Sequence, residues 1–328
     1  MLLFPSTDPF VVLALALLLD LAFGDMAPVF RLLPHPVVIA GGAIGFFDKR
    51  LNRATRSDRT RLVRGAIAMA ILVACAALLG WAVRRYLDVV HYGWVVEGFV
   101  VAVLLAQRSL FDHVADVARA LQSGGLAEGR KAVAKIVGRD PDSLDEYGVA
   151  RAAIESLFEN FSDGVVAPAF WYLLLGLPGL FVYKTASTAD SMIGHRTPKY
   201  LYYGWAAARF DDVLNWIPAR LTGALIGVAA LFLPETRSGV ALRTMLRDAG
   251  KHRSPNAGWP EAAAAGALGL ALSGPRRYGA AIMNEPWLGD GRARATVADI
   301  GAALTLYLAS GAVMGLLVIA GAVARFYG

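Results

Sequence analysis

The sequence is poor in charge and nearly devoid of cysteine. Only 18% of its 328 residues are Asp, Glu, Lys or Arg, against about 25% in a soluble domain. Cys75 is the single cysteine, which excludes an intramolecular disulfide and a cysteine-built metal knot. The histidines at 35, 91, 113, 195 and 252 show no H-x-x-x-H spacing, which argues against a helix-borne zinc pair. There is no G-x-x-x-x-G-K-S/T run, no G-x-G-x-x-G turn and no G-x-S-x-G elbow. A nucleotide would therefore bind without a P-loop or a Rossmann turn, and an α/β-hydrolase serine is excluded. Internal repeats and low-complexity tracts are missing as well.

What the chain has is apolar length. It is 56% hydrophobic, with a mean hydropathy of +0.50. Nineteen uncharged residues separate Arg64 from Arg84, and 25 separate Asp299 from Arg325. A membrane helix needs about 20. The N-terminal run "PFVVLALALLLDLAFG" lacks a Lys/Arg leader and is interrupted by Asp20, so it reads as mature chain and not as a signal peptide. Segment 89–107 returns through the membrane with Glu97 inside it. Segment 164–183 contains "GLPG", where Gly and Pro predict a break. Segment 213–233 has only 13 residues after Arg220, all uncharged, about 20 Å of helix against a hydrocarbon core of about 30 Å. These two segments are either re-entrant or line a polar cavity, because broken membrane helices need cover from protein or water.

The net charge is +6 and the pI about 9.5. Seven Lys/Arg crowd into residues 48–64, and nine into 234–297. With no aromatic-interleaved basic patch, these loops follow the positive-inside rule and mark the cytoplasmic face, not a nucleic-acid site. Residues 108–163 read as a helical cytoplasmic insert within one catalytic domain spanning 1–328. Leu110, Val114, Val117 and Leu121 have helical spacing, Gly124 and Gly125 end that helix, and Ser143 with Glu146 forms a capping box. Simple alternation puts 184–212 outside, whereas paired re-entrant hairpins keep it inside. The expected fold is all-α: a polytopic membrane bundle with broken or re-entrant segments.

Polar residues gather at the membrane edges. Arg151, Glu155 and Glu159 fall at i, i+4 and i+8, and Asn160 and Asp163 continue toward the helix end in "ENFSDG". "KTASTADSMIGHRTPKY" supplies Lys184, Asp190, Ser191, His195, Arg196 and Lys199. "ARFDDVLNWIPAR" supplies Arg209, Asp211, Asp212, Asn215 and Arg220, and "KHRSPNAGWPE" adds Lys251 and Asn256. Carboxylates and amides suit Mg²⁺, which keeps several waters and bridges phosphate oxygens, while Lys and Arg neutralise phosphate. The plain alternative is a set of helix-face ion pairs, each worth a few tenths of a kcal/mol. Carboxylates at membrane edges are costly and usually functional, which favours a site.

The long motifs "ARAAIESLFENFSDGVVAPAFW", "TADSMIGHRTPKYLYYGWAAARFDDVLNWIPARLT", "KHRSPNAGWPEAAAAGALG" and "PWLGDGR", with "LPHPV" near the start, resemble the CobD/CbiB family of cobalamin biosynthesis over nearly the whole chain. Phe161 stands where the family commonly has threonine. The resemblance implies an adenosylcobinamide-phosphate synthase. Such an enzyme joins adenosylcobyric acid to (R)-1-aminopropan-2-ol or its O-phosphate, with ATP as co-substrate and Mg²⁺. The expected protein is multi-pass in the cell membrane with its site toward the cytoplasm, where ATP is, and docking of other enzymes of the pathway on its basic loops is left open.

On that footing Glu155, Glu159, Asp163 and Asp190 are expected to hold metal. Arg151, Lys184, Ser191, Arg196, Lys199, Arg209, Lys251 and Asn256 are expected to bind substrate or phosphate. Asp211 or Asp212 is expected to act as base, with Asn215 orienting it. Two other classes fit the same residues: an intramembrane Mg-dependent prenyl or phosphoryl transferase, for which "FDDVLN" speaks, and a transporter with broken helices.

Overall fold

The computed structural model describes residues 8–24, 30–31, 34–138, 140–278 and 281–327. These form two compact units. Asp25, in the "GDMAPVF" stretch, lies outside the described residues.

The first unit comprises residues 1–106, 167–215 and 318–328. Helix α1 (Pro9–Phe23) starts on Asp8, whose carboxylate accepts Phe10 N at 2.8 Å, with proline at the first helical position. Helix α2 (Pro36–Leu51) starts the same way on His35, whose Nδ1 accepts Val37 N at 3.2 Å, and ends on Lys49 and Arg50, the sign its dipole prefers. Helix α3 (Asp58–Leu87) is capped by Ser57 and runs 30 residues, about 45 Å. Helix α4 (Gly93–Leu104) is short. Helix α7 (Ala167–Ile193) is broken at Gly176, whose φ of 66° and ψ of −152° no L-residue adopts cheaply, two residues before Pro178. The "GLPG" break is thus observed. Helix α8 (Trp205–Leu214) also belongs to this unit.

Helices α3 and α7 pack at a glycine. A Cβ on Gly80 would lie 2.7 Å from Pro178 Cα, so the two backbones meet where α7 breaks. Gly80→Ala is expected to cost about 1–3 kcal/mol through overpacking. This is read as a lower unfolding midpoint in detergent. An unchanged midpoint would show that the two helices part freely at this point.

Glu97, 2% exposed on α4, is held by two groups through three hydrogen bonds. Arg84 of α3 donates to both its oxygens at 2.9 and 2.6 Å, and Tyr172 of α7 donates to Oε1 at 2.9 Å. The carboxylate predicted inside segment 89–107 is therefore buried but fully paired.

The second unit comprises residues 107–166 and 216–317. Helix α5 (Gln107–Val133) buries Leu110, Val114, Val117 and Leu121, and turns non-helical at Gly125 as its glycines predict. Helix α6 (Glu146–Phe161) corrects one expectation. Its N-cap is Asp145, which accepts Gly148 N at 2.7 Å, while Ser143 donates to Asp140 O. Aspartate one residue before the helix outcompetes the serine because it already has the extended backbone of a cap. A π-helical turn follows at Ser162–Val166. Next come α9 (Trp216–Ala229), α10 (Ser238–Asp248) and α11 (Gly258–Leu268).

The stretch 234–297, expected as a loop region with one short helix after the turn at Asn256, carries among its described residues the α-helices α10 and α11, a 3-10 turn and four short strands. β1 (Leu272–Ser273) pairs antiparallel with β4 (Trp287–Leu288), and β2 (Arg276–Tyr278) with β3 (Ala281–Met283). Buried Asp248 fastens this stretch, accepting from Arg247 at 2.8 and 2.6 Å, from Lys251 at 2.6 Å and from Gly289 N at 2.8 Å. Those donors, Arg247 first, hold its carboxyl well below the usual range.

Helix α12 (Val297–Tyr327) closes the chain. Among the described residues four helical stretches are long and apolar enough to cross a membrane: 58–87, 93–133, 146–193 and 297–327. The architecture is an all-α membrane bundle with broken helices, and the strands are minor.

Candidate active site

In the first unit, the end of α7 and all of α8 bring carboxylates together. Asp190 sits in the last turn of α7. Gly194 N donates to Asp190 O at 2.7 Å, and a Cβ at Gly194 would overlap the Asp190 carboxylate. Helix α8 presents Arg209, Asp211 and Asp212, and Asn215 is its C-cap. Arg209 Nη1 lies 3.2 Å from Asp212 Oδ2.

Asp211 is the chemically distinctive group. Its Oδ2 accepts from Asn215 Nδ2 at 3.0 Å, and Asn215 Oδ1 accepts from the Tyr183 hydroxyl at 2.9 Å. Tyr183 is fully buried and Asn215 is 1% exposed. A carboxylate only accepts, so Asn215 must turn its NH₂ toward Asp211 and its carbonyl toward Tyr183, which must donate. Asp211 Oδ1, by contrast, is buried and accepts no hydrogen bond. Burial, then the charge on Asp190, push the Asp211 carboxyl up to about 7; the Asn215 hydrogen bond works the other way. Asp212 is raised by burial, with Arg209 and Arg196 pulling it back. Neighbouring carboxyls with unequal surroundings are how acid and base roles separate near neutral pH.

Other expected residues serve different contacts. Ser191 and Arg196 are exposed beside the carboxylates. Lys199 pairs with Asp48 at 3.0 Å and with Tyr200 Oη at 2.6 Å, and these two bonds raise its pKa. Lys184 lines an apolar cavity between α2, α3 and α7.

In the second unit, buried Glu155 accepts Ser273 N at 2.7 Å, 3.8 Å from Arg151 Nε. Arg151 donates to Ala293 O at 3.0 Å and stacks on Trp287. This pair fastens the 272–293 stretch. Glu159 is exposed, and Asp163 is half-buried in the π-turn, a feature common at functional sites. Phe161 is core: it is fully buried, 5.1 Å from the Tyr307 ring and edge-on to it. Lys251 holds Asp248, and Asn256 is buried in the turn before α11.

The expected set therefore divides between units. Arg151, Glu155, Glu159, Asp163, Lys251 and Asn256 lie in the second, and Lys184, Asp190, Ser191, Arg196, Lys199, Arg209, Asp211, Asp212 and Asn215 in the first. Among the described residues no three His, Cys, Asp or Glu side chains are grouped to hold a metal by themselves. A Mg²⁺ fits these residues in its common manner, on one or two carboxylates completed by water and substrate phosphate.

The sequence profile described as CobD/Cbib protein matches residues 13–307. The chain belongs to the CobD/CbiB family. A protein named "Cobalamin biosynthesis protein CobD" from a Sinorhizobium species is 53% identical over 313 residues, 94% of this chain and 97% of the relative. Its namesake in Brucella suis biovar 1 is 51% identical over 324 residues, 97% and 98% of the two chains. That of Rhodobacter capsulatus is 45% identical over 295 residues, 90% and 91%. No solved structure matches the chain at a significant level.

Sequence reasoning missed two residues of this family member's carboxylate cluster. Tyr183 lies seven positions before Asp190 in an apolar run and looks like core packing. Gly194 looks like a plain helix stop. Only the fold shows that the first orients Asn215 and the second makes room for Asp190.

Proposed function

We propose that this protein acts in cobalamin biosynthesis by joining adenosylcobyric acid to (R)-1-aminopropan-2-ol or its O-phosphate at the expense of ATP. Family membership supports the pathway, since the relatives carry its name. The observation that carries the chemistry is the buried, bond-free Oδ1 of Asp211, with its proton affinity set near neutrality.

A carboxylate resists attack by amines, so it is first phosphorylated: its oxygen takes the terminal phosphoryl group of ATP and ADP leaves. The amine nitrogen then bonds to the acyl carbon, the carbon–oxygen bond to phosphate breaks, and inorganic phosphate departs. An alkylamine is protonated at neutral pH, as lysine is. Asp211 Oδ1 accepts a proton from the attacking nitrogen, Asn215 and Tyr183 hold the other oxygen still, and Asp212 keeps Arg209 and Arg196 beside the phosphate. Asp190 is the carboxylate of this unit that would hold Mg²⁺, with water and substrate phosphate completing its shell. That ion, when bound, would neutralise phosphate charge. The site faces the cytoplasm of the cell membrane, where ATP is.

The deciding experiment is mass spectrometry of the corrinoid after incubating purified protein with adenosylcobyric acid, each amine, and ATP present or withheld. Amide product that depends on ATP supports the reading. Consumption of an isoprenyl diphosphate instead, with no corrinoid product, refutes it.

The pH profile is a further test. Ionised Asp211 is the working form, so kcat/KM is expected to climb about tenfold per pH unit below 7 and to level off above. Tyr183→Phe frees Asn215 and weakens the bond that lowers the Asp211 pKa. It is expected to move the rise upward by roughly half a pH unit, a loss of about 0.7 kcal/mol. A profile that is flat from pH 5 to 9 in the parent enzyme removes Asp211 as the base.

A further inference from the structure

Arg220, in the second unit, takes no part in the chemistry above. It lies in α9, whose 14 residues give about 21 Å of helix, too short to cross a hydrocarbon core of about 30 Å. The buried side of α9 packs on α10 and α11 at a glycine. A Cβ on Gly223 would lie 2.5 Å from Met245 Sδ and 3.1 Å from Trp259 O. This close approach brings Trp259, at the start of α11, up to Arg220. The guanidinium carbon lies 4.2 Å from the Trp259 ring centroid and 4.0 Å from that of Trp216. Trp259 Nε1 donates to Pro255 O at 3.2 Å, which fixes that ring. Two indole faces thus hold one cation in place, each contributing about 0.5–1 kcal/mol or more. Arg220 Nη1 donates to Trp216 O. A guanidinium has five N–H donors, and among the described residues Arg220 forms no ion pair.

The surroundings of this cation point to lipid. Arg220 is half-buried and Trp216 is 53% exposed, so the clamp sits at the surface. Beside it Ile217, Leu221 and Val228 are exposed along one face of α9, and Leu231 and Phe232 are exposed just beyond its end. In a membrane bundle such an apolar stripe is covered by hydrocarbon. Its N-terminal end carries two indoles and an arginine, the side chains that settle at the level of the lipid head groups. The anion abundant in that layer is the phosphate diester. A guanidinium is weakly hydrated and meets two phosphate oxygens at once. A soluble phosphate would use the cation and leave the stripe bare, whereas a phospholipid uses both.

We propose that Arg220, clamped by Trp216 and Trp259, binds the head-group phosphate of one phospholipid whose acyl chain lies along the exposed stripe of α9. The clamp holds the fork ready, so little side-chain freedom is lost on binding. The site is independent of the reaction assigned to the first unit.

The test uses the full chain in dodecyl maltoside, stripped of lipid and titrated with phosphatidylglycerol or with a glucosyl diacylglycerol of the same acyl chains, read by native mass spectrometry. One phosphatidylglycerol is expected to bind per chain in preference to the phosphate-free lipid. Arg220→Ala is expected to weaken that adduct about tenfold, the size of one charge-assisted contact. Trp216→Leu alters an exposed side chain, so the fold survives, and is expected to weaken it about threefold by removing one ring face. Millimolar ATP or inorganic phosphate is expected to leave the adduct of the parent protein in place. Equal binding of the two lipids, an adduct that survives Arg220→Ala undiminished, or displacement by ATP or inorganic phosphate would each overturn the proposal. The second of these results would leave Arg220 as a water-bound surface cation, and the third would assign it to a soluble phosphate.

Discussion

Asp211→Asn protein is expected to form the amide product about 10³-fold more slowly than the parent, within the range of about 10²–10⁴ that a positioned base contributes. The substitution keeps the acceptor that Asn215 Nδ2 uses, so geometry survives and the lost ability to take a proton is isolated. Stability should move the other way. The Asp211 pKa is raised in the folded protein, so its contribution to stability is full below the unfolded value near 4 and is lost as pH climbs through about 7. Asparagine does not ionise, so the variant is expected to be at least as stable as the parent at pH 8. Turnover in purified form and unfolding at pH 5 and 8 check both halves. Near-normal turnover in both Asp211→Asn and Asp212→Asn would leave α8 without a catalytic role.

Glu97→Ala is expected to destabilise the protein by about 2 kcal/mol, because it leaves the Tyr172 hydroxyl without its acceptor and leaves Arg84 with Asp88, at 3.1 Å, in place of two carboxylate partners. The cost lies in breaking the pair, not in lacking one. Arg84→Met combined with Glu97→Leu removes both charges and is expected to recover most of the loss. Unfolding in rising SDS distinguishes these outcomes. A single variant as stable as the parent would mean that Asp88 alone satisfies Arg84.

Much of this architecture can be read along the chain. The apolar lengths around Leu72 and Val318 demand membrane helices, Gly176 and Pro178 demand a break, and Gly125 demands another. These are local properties, decided by solvent and by backbone sterics. The cap at α6 was misread because Ser143 and Asp145 are both good caps, and only the extended backbone at Asp145 chooses between them. In the 234–297 stretch the short helix after the turn at Asn256 is legible and is found as α11, whereas the strands, two or three residues each, are too short to show an alternation. The candidate site was legible as an inventory of types. Which carboxylate keeps a bare oxygen was not, since that depends on Tyr183, 28 residues before Asp211 in the sequence, reaching Asn215 across the unit. Glu155 and Lys199 carried the same residue-type signal, yet they fasten Ser273 and Asp48.

The short connection that bears His195 and Arg196 is tethered at both ends. At one end Gly194 closes on Asp190. At the other, Asn52 donates to the Lys199 carbonyl at 3.0 Å, Arg61 donates to the same oxygen, and Arg61 also reaches Pro198 O at 3.1 Å. The freedom of this connection is thus surrendered during folding and not at encounter. If Arg196 binds phosphate as proposed, the backbone of this connection need not be ordered at encounter, and the affinity is spared the penalty that a slack loop would impose.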